Sequence, residues 1–229
     1  MKTIILIIIL TFGTCFAQNT NPDVIIKNLK DAFAAVKDYS VEANIKVDAS
    51  FIKVPDMKAK IFFKQPDKVH IQSDGFAMLP KRGLDFSPAS IFKGKYTSFY
   101  VKEEFIDGVK TSVIKIIPLE DNSDVVLTTL WVDQDKNVIR KIESSTKTNG
   151  TFVINLTYDF SNNKYPLPGT MTFSFDVGRM NFVPRNENSA GMDGEKKSPK
   201  NVTGKVFIAY SNYVVNKGIP DKVFEDKEK

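Results

Sequence analysis

The 229-residue chain has a single cysteine, a single histidine and a single tryptophan, and each scarcity closes off a kind of chemistry. Cys15 has no second thiol to pair with, so no disulfide within the chain can staple the fold. His70 as the only imidazole rules out a histidine-rich metal site, and a strand-like setting makes it a polar residue pointing away from the core. Trp131 stands among aliphatic neighbours, which marks a core position. There is no glycine-rich phosphate loop and no internal repeat of fixed length. The net charge is +5, but the lysines are scattered through strands and loops, a solvated surface and not a nucleic-acid footprint.

The N-terminus carries one cation, Lys2, then an apolar run over residues 4–10, then small residues as far as Ala17, the layout of a secretory leader. The run is too short to span a bilayer. Cleavage after Ala17 removes residues 1–17 as a signal peptide and leaves 18–229 as one domain without cysteine. The rival reading makes Cys15 a lipid-modified first residue, and Phe12, Gly13 and Thr14 are a poor approach to such a site.

What is present is amphipathic pattern. Asn21, Pro22 and Asp23 read as an N-cap, a proline at the first helical position and an acid at the positive end of the helix dipole. Val24, Ile25, Leu29, Ala32, Phe33 and Val36 then recur at spacings of three and four, which predicts a one-faced helix over 24–38. After Tyr39 the period drops to two: Val41, Ala43, Ile45 and Val47 alternate with Glu42, Asn44, Lys46 and Asp48, as a half-buried strand requires. Ala59, Ile61 and Phe63, then Val69 and Ile71, continue the pattern around a break at Pro66 and Asp67.

Residues 75–95 have no clean period and read as a long loop with a short helical turn near 88–92. Strands resume at 96–102, 110–117, 125–133 and 138–145, joined by turns such as Asp107-Gly108. Phe152, Ile154, Leu156, Tyr158 and Phe160 line one face of the next strand; Met171, Phe173, Phe175 and Val177 line one face of the one after. Residues 178–204 are polar and read as a mobile loop before a last strand over 205–215. Nine or ten strands in series with tight connections predict an α+β fold whose antiparallel sheet curls or closes, with one helix.

Four segments carry a resemblance. They are Asp38-Tyr39-Ser40 where helix enters strand, residues 61–69, residues 130–143, and the ending at 215–224. In order and spacing the set resembles the outer-membrane lipoprotein carrier superfamily, which includes the periplasmic lipoprotein chaperone and its outer-membrane receptor. The resemblance implies an unclosed, strongly curved antiparallel half-barrel, apolar on its concave side, covered by a helical lid and binding acyl chains transiently in the periplasm. It implies no enzyme activity and no cofactor. It departs from the chaperone at Gln65, where an arginine helps to hold the lid; a neutral amide cannot form an ion pair.

On this reading the acyl cavity is lined by Ile45, Val47, Ile61, Phe63, Val69, Ile71, Phe152, Ile154, Leu156, Phe173 and Phe175, with Leu29, Phe33 and Val36 from the helix. The alternative is that the same side chains fill a closed core, and sequence leaves that open. The expected partners are lipoprotein acyl chains or lipid, with no nucleic acid and a monomeric state. A sensor or protein-interaction module on the same half-barrel is the second reading, and a small hydrolase a distant third, because no nucleophile has an evident base. Ser144 and Lys147 form a Ser-x-x-Lys string in strand-forming sequence, not at a helix start. Asp133, Asp135 and Asn137 mimic a calcium loop, but Val138 stands where glycine is needed, so a hairpin turn explains them.

Overall fold

The structure, a computed structural model, describes residues 20–49, 55–73, 91–148, 150–161, 164–177 and 202–225. The leader at 1–17, most of the irregular stretch at 75–95 and residues 178–201 of the expected mobile loop lie outside these. Among the described residues, helix α1 (Pro22–Ala34) precedes ten strands: β1 (Asp38–Ala49), β2 (Met57–Lys64), β3 (Lys68–Ser73), β4 (Tyr96–Ile106), β5 (Val109–Pro118), β6 (Val125–Asp133), β7 (Val138–Thr146), β8 (Thr151–Thr157), β9 (Thr170–Val177) and β10 (Val202–Val215).

All ten strands form one antiparallel sheet in the order β3-β2-β1-β10-β9-β8-β7-β6-β5-β4. The last strand returns to pair with the first, Ile208 opposite Ile45 and Val206 opposite Val47. The terminal strands β3 and β4 do not pair with each other, so the sheet is an unclosed, curved half-barrel. The Asp107-Gly108 turn between β4 and β5 has positive φ at both residues, 49° and 77°, the conformation that a two-residue hairpin matched to strand twist demands.

The alternation read from sequence becomes rungs that cross the sheet. One runs Val47, Val206, Phe173, Ile154, Ile142, Leu130, Ile114 and Tyr100, each residue opposite the next. Because successive side chains on a strand point to opposite faces, the whole rung lies on the face that α1 covers. The helix presents Ile25, Ile26, Leu29 and Phe33 to that face.

Two expectations need correction. The helix ends at Ala34, so Val36 belongs to the link into β1 and not to the helix. It is nevertheless fully buried, at 0% exposure. The chain leaves the helix there because Asp38 already pairs with Lys64 across β1 and β2, so the residues before it must turn from helical to extended backbone. The last strand starts at Val202, where Val202 pairs with Val177, and not at Lys205. Trp131 is buried as expected, on the face opposite α1, where it lies opposite Val113 and under the Lys141 ammonium, 4.0 Å from its ring centroid.

Candidate acyl-binding hollow

The hollow is the space between α1 and the concave side of the sheet. Polar contacts fasten the helix at both ends. At its start the Asn21 side chain accepts from the Asp23 backbone N–H at 3.0 Å. There the Ser98 hydroxyl of β4 also donates to Asp23, at 2.9 Å. Two turns further along, Lys30 lies over the rings of Phe92 and Tyr96. At the other end Phe33 meets Phe63 of β2 edge-on, with centroids 5.5 Å apart. The helix therefore reaches from β4, at one margin of the sheet, to β2, beside the other.

Its C-terminal carbonyls are the groups a helix leaves without internal partners. The Gln65 amide donates to the Val36 carbonyl at 2.8 Å and to that of Ala34 at 3.4 Å. Gln65 thus holds the end of the helix without an ion pair. Asn216 works from the other side, accepting from the Lys37 N–H at 2.7 Å and donating to the Ala35 carbonyl at 2.8 Å. The buried Asp38 carboxylate accepts from the backbone N–H groups of Lys217 and Gly218, at 3.0 and 3.1 Å. Lys64 and Lys68 both reach Asp221 and hold its carboxyl below its ordinary pKa. The C-terminal segment is in this way tied to the junction of helix and first strand.

Every residue expected to line the cavity is on the helix side. Leu29, Phe33, Val36, Ile45, Ile61, Phe63, Ile154 and Leu156 are buried in one cluster. Val47, Val69, Ile71, Phe152 and Phe173 are half-buried against it. Phe175 stacks near Phe173, with centroids 5.8 Å apart, and its ring covers Gly204 so closely that a Cβ there would overlap it. The pattern missed Ile114, Leu130 and Ile142, although they share the rung with Ile154. On β5 and β6 runs of buried residues replace alternation, with Thr111, Ser112, Thr128 and Thr129 among them, so the inward set does not stand out.

The hollow has two halves. Beneath the helix it is packed: Phe63, Ile25, Ile45, Ile114, Leu130, Met171 and Ile208 are each under 2% exposed. A crevice of ≈ 20 Å³ between helix and sheet is bordered by Leu29, Phe33, Ile139, Leu156, Tyr158 and Pro166, the scale of one water molecule. Tyrosines occupy one side, with Tyr158 donating to the Ile139 carbonyl and Tyr213 to that of Pro168, both at 2.9 Å. Burial pushes the hydroxyls of Tyr158, Tyr210 and Tyr213 well above the usual phenol pKa, so they stay neutral.

Beyond the helix the same face opens into a mouth. Phe152, opposite Phe175, and Phe173, one rung inward, are half-buried rings, with Phe152 and Phe173 centroids 5.7 Å apart. Val47 and Val206 flank them on the neighbouring strands. On β7 and β6 the mouth turns polar, where Ser144 and Thr128 share a 2.6 Å hydrogen bond. That contact accounts for Ser144 as a strand residue satisfied by its neighbour. Asp133 likewise binds Arg140 at 2.8 Å and caps the turn to Lys136. Among the described residues no cluster of histidine, cysteine or acidic side chains is arranged to hold a metal, and no helix is long and apolar enough to cross a membrane.

A one-helix, open antiparallel half-barrel with an apolar concave face defines a class of fold, and solved structures share it. A LolA superfamily protein from Nitrosomonas europaea matches with a TM-score of 0.56 at 13% identity, covering 89% of this chain and 97% of that one. A DUF1329 family protein from Desulfovibrio piger matches with a TM-score of 0.59 at 13% identity, over 89% and 97% of the two chains. A domain from Vibrio parahaemolyticus named for outer membrane lipoprotein sorting matches with a TM-score of 0.52 at 13% identity, over 88% and 94%. No family model matches the chain, and no curated protein matches it. The chain has the LolA-like fold.

Proposed function

We propose that this protein is a non-catalytic carrier of the periplasm that shelters acyl chains of a lipid or lipoprotein between α1 and the sheet. The observation that carries the reading is the continuity of the hollow. The half-buried rings of Phe152 and Phe173 continue without a polar break through Ile154 and Ile142 to the side chains packed under the helix.

A crevice of ≈ 20 Å³ does not hold an acyl chain, so the ligand enters as the helix moves out. The energies permit the exchange. Re-exposing Ile25, Ile26, Leu29 and Phe33 costs about 6–12 kcal/mol at about 1.5–3 kcal/mol for each side chain. Ten methylene groups leaving water return about 8 kcal/mol before ordering costs. Near balance suits a carrier that must also release its cargo.

The test is to express the protein with its leader, extract it from the envelope, and look for bound lipid by mass spectrometry and uptake of a fluorescent fatty-acyl probe. Bound lipid and saturable uptake support the reading; neither one appearing would overturn it.

A second reading, an envelope protein-interaction module, is favoured by one feature. Exposed large apolar residues gather on the terminal strand β4 and beside it: Phe99, Val101, Phe105, Ile117 and Leu119. A partner that co-purifies stoichiometrically, survives delipidation and is lost in the Phe99→Lys/Phe105→Lys variant would favour this module over the carrier.

A further inference from the structure

The face of the sheet turned away from α1 carries a second concavity with different chemistry. A groove of ≈ 390 Å³ lies over β1, β2 and β3, bordered by Glu42, Asn44, Lys58, Lys60 and Gln72 with the backbone of Ala43 and Ala59. The register puts these side chains together: Glu42 is opposite Lys60, Asn44 opposite Lys58, and Lys60 opposite Gln72. Strand geometry spaces Lys58 and Lys60 about 6.7 Å apart along β2, on one face.

The lysines elsewhere on these strands are engaged: Lys46 pairs with Asp56 at 3.1 Å, and Lys64 and Lys68 with Asp221. Lys58 and Lys60 make no ion pair among the described residues; Lys60 only overlies the Phe62 ring, 5.5 Å from its centroid. The one carboxylate in the groove, Glu42, accepts a hydrogen bond from the Asn212 amide of β10 at 2.8 Å. Two lysines and two side-chain amides thus border the groove together with one carboxylate, which already accepts from Asn212.

We propose that this groove binds a phosphate-type oxyanion, with Lys58 and Lys60 supplying charge and Asn44 and Gln72 supplying directional N–H donors. Several donors around one multi-oxygen anion match the chemistry of a phosphate and not of an apolar ligand. The site lies on the opposite face from the acyl hollow and does not depend on it. The phosphate is either free or the headgroup of a lipid.

Two titrations on the intact mature protein separate these sources: inorganic phosphate followed by amide NMR shifts, and co-sedimentation with vesicles of phosphatidylglycerol against vesicles of phosphatidylcholine. The Lys58→Gln/Lys60→Gln variant changes exposed residues only and is paired with a Lys115→Gln/Lys222→Gln control elsewhere on the surface. Saturable shifts at 42–44, 58–60 and 72 with phosphate assign the free ion. Binding to phosphatidylglycerol vesicles alone assigns the headgroup. In either case the Lys58/Lys60 variant weakens binding by about thirtyfold, the weight of two lysines near an anionic surface, and the control does not. No binding in either titration, or equal loss in variant and control, overturns the proposal.

Discussion

The packed half of the hollow and its mouth are made from the same kind of residue in the same alternating pattern, yet they differ in what covers them. Ile45 and Met171, on the rungs beneath α1, are sealed. Phe173, on the same strand as Met171, and Phe152, on the neighbouring β8, lie nearer the mouth and are only half-buried. Alternation specifies which face is apolar; the length and placement of one helix decides how much of that face is core and how much is left for a ligand.

The comparison breaks most sharply at phenylalanine. Phe63→Ala, between Phe33 and Tyr39, is expected to destabilise the fold by about 3–5 kcal/mol in urea unfolding. Phe173→Ala, at the mouth, is expected to cost about 1 kcal/mol in the same assay while weakening acyl-probe binding about tenfold. If the two variants lost stability equally, the division into core and mouth would fail.

The next contrast is chemical. The neutral tyrosines sit in the packed half, and their hydroxyls release protons in the unfolded chain at about pH 10 but only above that in the fold. The unfolded state therefore binds fewer protons above pH 10, and the tyrosine contribution, fully present below that pH, falls as pH rises further. Thermal unfolding should show a decline on the alkaline side that is shallower in Tyr213→Phe.

Smaller effects sharpen the account of the helix. Gln65→Leu removes the amide that serves the last carbonyls of α1 and should cost about 1 kcal/mol, with faster hydrogen exchange confined to 25–36 and faster probe uptake. Unchanged exchange would mean that Gln65 does not hold the helix. Smallest is Asp221→Asn. Its carboxyl pKa is depressed by Lys64 and Lys68, so its contribution is present above the ordinary carboxylate pKa and is lost as pH falls through the depressed one. Acid unfolding of the variant should be less pH-dependent below about pH 4.

Much of this was legible in the sequence for physical reasons. Burial alternates along residues 41–47 and favours one face of 152–156, so period two revealed both strand and orientation. The Asn21-Pro22-Asp23 start located the helix to the residue. Its end was not legible, since Val36 keeps helical spacing while strand pairing at Asp38 terminates the helix first. The burial of Trp131 was legible but its face was not, because β6 is buried on both faces and composition alone does not separate the two. The groove at Lys58 and Lys60 was invisible for another reason: it is formed by register across three strands, and no segment of sequence contains it.

The most direct test of the carrier mechanism pins the helix. The Ser98 and Asp23 side chains meet at 2.9 Å, and an Asp23→Cys/Ser98→Cys variant of the mature chain would cross-link α1 to β4 at that point. The account predicts that the oxidised protein takes up no fluorescent acyl probe and that reduction restores uptake to the wild-type level. Equal uptake by oxidised and reduced protein would contradict it.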